Sequence, residues 1–376
     1  MNPRPFLSLL LAFLLALLLA GLAAAGGPGP AVAPRLAPPA PLNITFDSDV
    51  LAVAVQGDYA YVGIENMENG LVILDISNPL RPVTMGHART LGIEFIDFLD
   101  EHTLVVSDNT SIGVLDVTNP YDPVWISSMT DYDAPPSTIM AMKYFDGYLY
   151  VVGRWGFSIF DLRDPASPQV VYATDNIYDW DLYDVDVARN SHDGHTYAYM
   201  IGIMYTGATH SMVFWDVTSP ISPTIVYSGS DWEQGPALVV VDDLLYWSGF
   251  ELYALMAWDI SHPEQPQNLY GMETRDIISR MTASRTAEQK RIYAVVDKVG
   301  SSIHPYGLQI IDISGMPEVI LRNDEAAPRS WVAVSEKHGC IFIPEWSAGL
   351  RILCETQITP TPPSLVWLPL VSQRAN

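Results

Sequence analysis

A short apolar strand that ends in aspartate recurs along this chain. Its pattern is apolar-x-apolar-x-Asp, and a turn that contains proline follows it. Six copies are complete and a seventh ends in cysteine: Leu71–Asp75, Ile112–Asp116, Phe157–Asp161, Met212–Asp216, Leu255–Asp259, Leu308–Asp312 and Leu350–Cys354. Successive copies end 41 to 55 residues apart. This period, with several short strands in each repeat, is typical of β-propeller blades.

The first repeat divides into four predicted strands. Val50–Gln56 is a run of small and β-branched apolar residues, as expected for an inner strand that is buried on both faces. Tyr59–Ile64, Gly70–Ile76 and Pro82–Gly86 follow it. Short apolar runs that are rich in β-branched and aromatic residues and bounded by turns favour strands over helices. The sequence therefore predicts an all-β chain with four antiparallel strands in each repeat.

The turn after the third strand is the most regular part of the repeat. In the first repeat it reads Asp75-Ile-Ser-Asn-Pro-Leu-Arg-Pro82. The Asp, Ser and Asn side chains accept hydrogen bonds from nearby backbone N–H groups, and the first proline presets φ, so together they fix a tight turn. The second proline begins the outermost strand, where a missing N–H discourages edge-to-edge association. We therefore assign the repeated aspartates to turn capping rather than to catalysis.

Two segments of the first repeat resemble the LVIVD-repeat family. They are Asp58-Tyr-Ala-Tyr-Val62 and Gly70-Leu-Val-Ile-Leu-Asp75, and the resemblance covers about residues 43–356. It implies a secreted or surface bacterial propeller, and it implies no particular activity. Trp215-Asp216 and Trp258-Asp259 look like WD40 signatures. No Gly-His partner precedes either blade, so we reject that assignment.

Counting the repeats predicts a seven-bladed β-propeller. Six repeats contain all four strands, whereas the last contains only three, Trp331–Ser335, Cys340–Glu345 and Gly349–Cys354. The alternating segment Leu42–Asp47 precedes the first repeat and has no other strand with which to pair. We expect this N-terminal strand to complete the last blade and close the ring, which leaves no long sheet edge unpaired.

The two cysteines fall in this last blade. Cys340 begins its second strand and Cys354 ends its third, and a turn at Trp346-Ser-Ala348 places the two residues directly opposite each other. Cysteines in an exported chain are expected to pair. Because the loop between them is short, the disulfide is expected to stabilise the blade by about 3 kcal/mol at most.

The ends of the chain are expected to lie outside the propeller, which spans residues 42–356. Residues 1–25 have one basic residue, a Leu/Ala-rich run and a small-residue exit, the pattern of a secretory signal peptide that is cleaved near Ala25; an uncleaved anchor is the alternative. Residues 26–41, rich in Pro, Gly and Ala, predict a disordered spacer. Residues 357–376 predict a Pro/Thr linker and a hydrophobic tail that is too short to span a membrane. We therefore expect a secreted or cell-surface protein.

Net charge narrows the class of partner. The chain has 43 acidic residues against 19 lysines and arginines, a formal net charge of −24. Such a field repels nucleic acid and anionic lipid headgroups, so no nucleic-acid partner is expected. It is compatible with cations, with basic proteins and with simple solubility outside the cell. We expect a monomer.

The sequence contains no recognisable catalytic motif. It has no Gly-x-Ser-x-Gly elbow, no His-Glu-x-x-His and no phosphate-binding glycine loop. His192 and His195 lie close together in an insertion, and their spacing alone is weak support for a metal. Asp179, Asp181 and Asp184 lie in an acidic segment whose oxygens suit Ca²⁺. We favour the alternative, a solvated acidic loop, and expect no other cofactor.

Two sets of loops are expected to emerge on one face of the propeller. They join the second strand to the third and the fourth strand to the next blade. The predicted ligand-binding residues lie there: Arg154, Trp155, Trp180, Asp181, Trp232, Glu233, His304 and Trp346. Tryptophans and carboxylates on loop tips suit recognition of sugars or peptides, because surface loops carry function. They could equally form a lid over the channel mouth.

Two functions are compatible with these residues. The first is a non-enzymatic recognition scaffold that binds an extracellular glycan, peptide or protein on this face. The second is an extracellular hydrolase or lyase with acidic residues at the mouth of the central channel. A close carboxylate pair or His–carboxylate pair at the mouth would favour the enzyme, and residues 187–210 and 284–307 are the insertions to inspect. The fold alone does not decide between them.

Overall fold

Seven four-stranded antiparallel sheets make up the described part of the protein. The computed structural model describes residues 41–355, apart from 67, 91, 130–135, 175–179, 205–208, 231–233, 250–253, 275, 286–288, 298–305, 316, 324–327 and 329. The expected signal peptide, the C-terminal linker and tail, and all but the last residue of the spacer lie outside these residues. Across the described ranges, no helix has the length and hydrophobicity needed to cross a membrane.

In the first six sheets, four consecutive strands lie side by side in chain order, from the central channel outwards. Blade 1 contains β2 (Val50–Gln56), β3 (Tyr59–Ile64), β4 (Leu71–Asp75) and β5 (Val83–Ala88). Blade 2 contains β6 (Phe95–Phe98), β7 (Thr103–Ser107), β8 (Ile112–Asp116) and β9 (Val124–Met129). Blade 3 contains β10 (Ile139–Phe145), β11 (Tyr148–Gly153), β12 (Gly156–Asp161) and β13 (Gln169–Ala173).

The next three blades repeat this order with longer strands. Blade 4 contains β14 (Trp180–Arg189), β15 (Thr196–Met204), β16 (Thr209–Asp216) and β17 (Thr224–Ser230). Blade 5 contains β18 (Gln234–Val241), β19 (Leu244–Gly249), β20 (Ala254–Asp259) and β21 (Gln267–Glu273). Blade 6 contains β22 (Ile277–Arg285), β23 (Lys290–Asp297), β24 (Tyr306–Asp312) and β25 (Glu318–Asn323).

Blade 7 combines the two ends of the described chain. Its strands are β26 (Ala333–Ser335), β27 (Cys340–Pro344), β28 (Leu350–Cys354) and β1 (Leu42–Ile44). β1 pairs antiparallel with β28 through Leu42–Ile352, Asn43–Arg351 and Ile44–Leu350. The prediction of a seven-bladed ring closed by the N-terminal strand is therefore confirmed, with a shorter closing strand than the alternating segment indicated.

The hydrophobic core lies between the blades. Each of the seven clusters of buried apolar side chains in the described residues is shared by two neighbouring blades, including one between blades 7 and 1. The inner strands contact each other in ring order and return to β2 through β26. The fold is thus held together mainly by nearest-neighbour interfaces, as expected for a closed repeat architecture.

Cys340 and Cys354 are paired in register across β27 and β28 and form a disulfide. Both residues are buried and belong to the cluster between blades 7 and 1. The bond therefore lies in the blade that closes the ring. It joins β27 to β28, and β28 is the strand with which β1 pairs.

The repeated aspartates cap turns, as the sequence predicts. In all six complete repeats, the aspartate Oδ1 accepts a hydrogen bond of 2.8–3.0 Å from the backbone N–H two residues later. The donors belong to Ser77, Thr118, Arg163, Thr218, Ser261 and Ser314. These carboxylates lie on the face opposite the predicted ligand-binding loops and are occupied in forming the turns.

Aspartates on the inner strands bond to the next blade. Inner strands leave one edge of backbone N–H groups unpaired along the channel, and these donors need acceptors. Three aspartate Oδ2 atoms accept from the following blade: Asp97 from Tyr144 N at 2.9 Å, Asp184 from Leu238 N at 3.1 Å and Asp186 from Val240 N at 2.8 Å. Channel carboxylates therefore join neighbouring blades.

Candidate functional site

The hairpin order of the blades separates two faces of the propeller. Loops between second and third strands, and those leading to the next blade, emerge on one side, which we call the mouth face. The remaining turns, which include the aspartate caps, emerge on the opposite face. The predicted ligand-binding residues with described positions lie on the mouth face or at the adjacent strand ends.

Two predicted tryptophans stand at turn tips of the mouth face in a strained conformation. Trp155 has a φ of 70° and Trp346 a φ of 50°. Their exposed fractions are 41% and 39%. In the corresponding turn of blade 2 the left-handed residue is Asn109, with a φ of 77°. Asparagine tolerates this conformation, whereas bulky residues rarely adopt it. The fold thus holds two large rings in solvent at a conformational cost.

Trp155 lies beside a contact between blades 3 and 4. Arg154 and Asp181 form an isolated β-bridge, and Arg154 Nε lies 3.7 Å from Asp181 Oδ2. The Asp181 side chain is 12% exposed and that of Arg154 is 58% exposed. Because the arginine head is largely solvated, the pair fixes the position of the turn more than it adds stability. The structure therefore brings three of the predicted residues together.

Trp346 lies in a separate sector, between blades 7 and 1. The preceding residue, Glu345, is buried, and its Oε1 lies 2.9 Å from Arg351 Nε. Val50 N donates to the Trp346 carbonyl at 3.2 Å, which ties the turn to blade 1. The buried ion pair and this backbone bond position the exposed indole.

The structure does not describe the side chains of the remaining ligand-binding candidates or of Asp179. Trp180 is the first residue of β14, and its side chain lies outside the described part. Three ligand-binding candidates and one metal candidate fall outside the described residues altogether: Trp232, Glu233, His304 and Asp179.

Two of the three calcium candidates have described partners. Asp181 faces Arg154, and Asp184 accepts from Leu238 N and from Val185 N. Within the described ranges, no group of three or more His, Cys, Asp or Glu side chains is arranged to hold a metal ion. A calcium site that also uses Asp179 remains a prediction.

An axial cavity of about 710 Å³ lies between the inner strands. Its polar lining includes Glu94, Asp97, Lys143, Asp184, Asp186, Thr282 and Glu336. Burial raises the pKa of Asp184 to about 7, while the Leu238 N–H and the Arg280 guanidinium act in the opposite direction. The cavity is therefore acidic, and three of its carboxylates are held by backbone donors of the next blade.

The histidine–carboxylate pairs of the described residues lie away from the mouth. His195 Nδ1 is 2.8 Å from Asp216 Oδ2, His338 Nε2 is 2.9 Å from Asp58 Oδ1, and His262 Nδ1 is 3.8 Å from Glu264 Oε1. The hydrogen bond to Asp216 raises the pKa of His195. All three pairs lie on the opposite face, and so do residues 190–195, the turn within the insertion at 187–210. These pairs give no support to a catalytic pair at the mouth.

Two further residues lie at the mouth: Trp331, which the loop pattern of the sequence also places on this face, and Arg280, which sequence reasoning missed. The Arg280 Cζ lies 4.5 Å from the Trp331 ring centroid, and the Phe95 ring centroid lies 5.5 Å from it. Trp331 also packs against the core between blades 3 and 4. The indole thus extends across the channel axis from blade 7. An arginine in the middle of the inner strand β22 was the available signal for Arg280.

Trp331 also lines a second, smaller pocket on the mouth face, which we call the mouth pocket. Its volume is about 220 Å³. Blades 1, 2, 6 and 7 contribute its lining: Leu51, Glu65, Glu94, Phe95, Arg280, Ser330, Trp331 and Trp346. A cation, two carboxylates and several aromatic rings therefore meet in one depression at the channel mouth.

Comparisons with known proteins agree with this architecture. Residues 48–90 match the family model of the LVIVD repeat. The sequence matches no curated protein. A periplasmic gluconolactonase, PpgL, from Pseudomonas aeruginosa has a similar structure, with a TM-score of 0.61, 12% identity, and coverage of 85% of this chain and 94% of that chain.

Two further solved structures are similar. A functionally unknown protein from Desulfotomaculum acetoxidans has a TM-score of 0.59 and 11% identity, covering 82% of this chain and 94% of its own. A protein from Lactobacillus plantarum has a TM-score of 0.56 and 12% identity, covering 83% and 89%. At these identities the likeness shows the fold alone. The chain therefore contains an LVIVD repeat at residues 48–90, and this repeat forms part of a seven-bladed β-propeller.

Proposed function

We propose that this propeller is a non-enzymatic recognition scaffold that binds an extracellular glycan, peptide or protein on its mouth face. The observation that carries the proposal is the pair of exposed tryptophans at turn tips, Trp155 and Trp346, both at positive φ. Backbone strain of this kind persists where surrounding structure imposes it, and it concentrates at ligand sites. Exposed aromatic rings are also the side chains that contribute most to recognition.

The polar neighbours of these rings favour binding over catalysis. Asp181 is beside Arg154, and Glu345 is paired with Arg351. Their charges are therefore partly neutralised and their positions fixed, as suits residues that orient a recognition surface. Asp97 and Asp186 in the axial cavity accept backbone hydrogen bonds from the next blade, which favours a structural role for them.

We also propose that the protein works outside the cytoplasm, as a secreted or cell-surface protein. The disulfide between Cys340 and Cys354 supports this location, because such bonds persist in oxidising compartments. The resemblance to secreted and surface propellers points to the same location.

Replacement of the exposed tryptophans by asparagine tests the proposal. Ligands are first selected with an immobilised glycan array and a random peptide array. We expect Trp155→Asn or Trp346→Asn to weaken binding by about tenfold or more, because a buried aromatic contact contributes roughly 1–3 kcal/mol. Binding is then measured by isothermal titration calorimetry.

The same variants provide their own stability control. Asparagine already occupies the equivalent left-handed position at Asn109, so Trp155→Asn is expected to leave the melting temperature unchanged or to raise it. A large loss of stability with unchanged binding would show that the rings are structural and would refute the proposal. Turnover of a selected glycan or peptide would instead favour the hydrolase or lyase.

A further inference from the structure

Arg280 provides the mouth pocket with a cation whose hydrogen-bonding capacity is largely unused. A guanidinium carries five N–H donors. One Nη1 bond goes to the Ser279 carbonyl at 2.7 Å, and Nε is buried without an acceptor among the described residues. Trp331 covers one side of the guanidinium. A buried charged donor without an acceptor is costly, so this site favours an anionic group on a ligand.

Glu65 and Glu94 supply negative charge to the same pocket. Glu94 is half-buried and Glu65 is exposed. Neither side chain forms a hydrogen bond or an ion pair with any residue of the described chain, and neither is paired with Arg280. Opposite charges are thus held apart around one depression. A ligand that satisfies both must carry an anionic and a cationic group on a short frame.

The remaining walls are apolar and the space is small. Phe95, Trp331, Trp346 and Leu51 offer rings and an aliphatic side chain. The volume of about 220 Å³ is below the roughly 300 Å³ at which drug-sized ligand pockets begin. The pocket therefore suits a single small metabolite with an apolar part, rather than a segment of a polymer.

We propose that the mouth pocket binds a free α-amino acid with an apolar or aromatic side chain. Its carboxylate bonds to Arg280, its ammonium group lies near Glu65 and Glu94, and its side chain packs against Trp331. This inference goes beyond the proposed function, which concerns a larger ligand on the mouth face. It depends on that function only through Trp346, which lines both sites.

Other small ligands fit these charges less well. A phosphate or dicarboxylate would be repelled by the two glutamates. A divalent cation would be repelled by Arg280. A neutral sugar would supply no anionic acceptor to the buried Nε of Arg280. Only a zwitterion meets both kinds of charge.

Three matched probes test the inference on the whole protein. They are L-phenylalanine, phenethylamine, which lacks the carboxylate, and 3-phenylpropionate, which lacks the ammonium group. Binding is measured by calorimetry and by tryptophan fluorescence. We expect L-phenylalanine to bind at least about tenfold more tightly than either analogue, because each analogue leaves one charged group of the pocket unpaired.

Variants then assign each charge. Arg280→Gln is expected to abolish the preference for L-phenylalanine over phenethylamine. Glu94→Gln is expected to reduce the preference over 3-phenylpropionate and, since its carboxylate has no partner among the described residues, to leave the melting temperature unchanged. Glu68→Gln, in the same turn as Glu65 but outside the pocket, is the control and should change neither preference.

The outcomes separate this inference from the proposed function. Equal affinity for all three probes, or no binding of any of them, overturns the amino-acid site whether or not Arg280→Gln folds. If the Trp155→Asn variant no longer binds the array ligands but still binds the amino acid, both proposals are supported. Unchanged array binding in Trp155→Asn and Trp346→Asn, with the expected probe preference, overturns only the proposed function.

Discussion

Asp184 is a buried carboxylate on the inner strand of blade 4. The residue is 4% exposed, and burial raises its pKa from 3.8 to about 7. Between these values the folded protein binds a proton that the unfolded chain releases. The stability that this proton contributes is therefore present at low pH and is lost as the pH rises through about 7. At higher pH the folded protein holds a buried charge.

We predict that Asp184→Asn stabilises the protein clearly more at pH 8 than at pH 5, because the loss begins above pH 3.8 and is complete only above about 7. The amide is neutral at both pH values, and its single oxygen can accept from Leu238 N but not also from Val185 N. Asp186→Asn loses one acceptor in the same way. Thermal unfolding in EDTA at the two pH values measures the difference, which should reach a few degrees at pH 8. Asp186→Asn, on the same strand, controls for removal of a carboxylate. An equal effect of Asp184→Asn at both pH values would contradict the prediction.

At the residue scale, the sequence indicated part of the site because loop tips can be located from the repeat. Arg154, Trp155 and Trp346 follow second strands that the pattern places correctly. The contact of Arg280 with Trp331 joins two blades, and no local pattern encodes it. It arises because the Trp331 side chain, two residues before β26, reaches the guanidinium of blade 6. Such tertiary contacts depend on the closed ring.

At the scale of the element, the strand pattern was predictive because each blade buries short apolar runs on both faces. The ends of the strands differ where pairing overrides the pattern. The fourth strand of blade 1 was predicted as Pro82–Gly86, but it is Val83–Ala88 because Ala88 still pairs with Leu71. The first strand of blade 7 begins at Ala333 rather than Trp331, because that tryptophan packs at the mouth.

The disulfide of blade 7 leads to a second stability prediction. Replacing both Cys340 and Cys354 by alanine should lower the free energy of unfolding by about 2–3 kcal/mol, because the bond closes a short loop in the unfolded chain. Urea unfolding measures the loss. Dithiothreitol should shift the midpoint of the natural protein and leave that of the double variant unchanged. Identical midpoints for both proteins without reductant would show that the bond adds nothing to stability.

At the scale of the whole molecule, stability depends on closing the ring. Six blades are completed by consecutive strands, whereas the seventh needs β1 from the other end of the described chain. β1 contributes only three paired residues. If it detached, β28 would present an unpaired edge, and the cluster between blades 7 and 1 would lose Leu42 and Ile44 from its periphery. Closure of the ring therefore depends on a strand of only three residues, although the fold needs it.

Gly349 allows a direct test of this closure. Its φ is 92°, and a Cβ atom there would lie 2.0 Å from the Ile44 carbonyl oxygen. Gly194 has a φ of 76° with nothing within 4 Å of a Cβ atom. Gly194→Ala therefore introduces backbone strain alone, about 1–2 kcal/mol. Gly349→Ala introduces similar strain and also displaces β1.

We predict that Gly349→Ala destabilises the protein by clearly more than Gly194→Ala, and that it alone increases hydrogen exchange at Leu42–Ile44. It should also promote association through the exposed edge of β28, because unpaired edges join other chains. Thermal unfolding, hydrogen exchange and light scattering measure these effects. If the two variants lose equal stability and both stay monomeric with β1 protected, the backbone accommodates the methyl group, and closure by β1 is not the weak point of the ring.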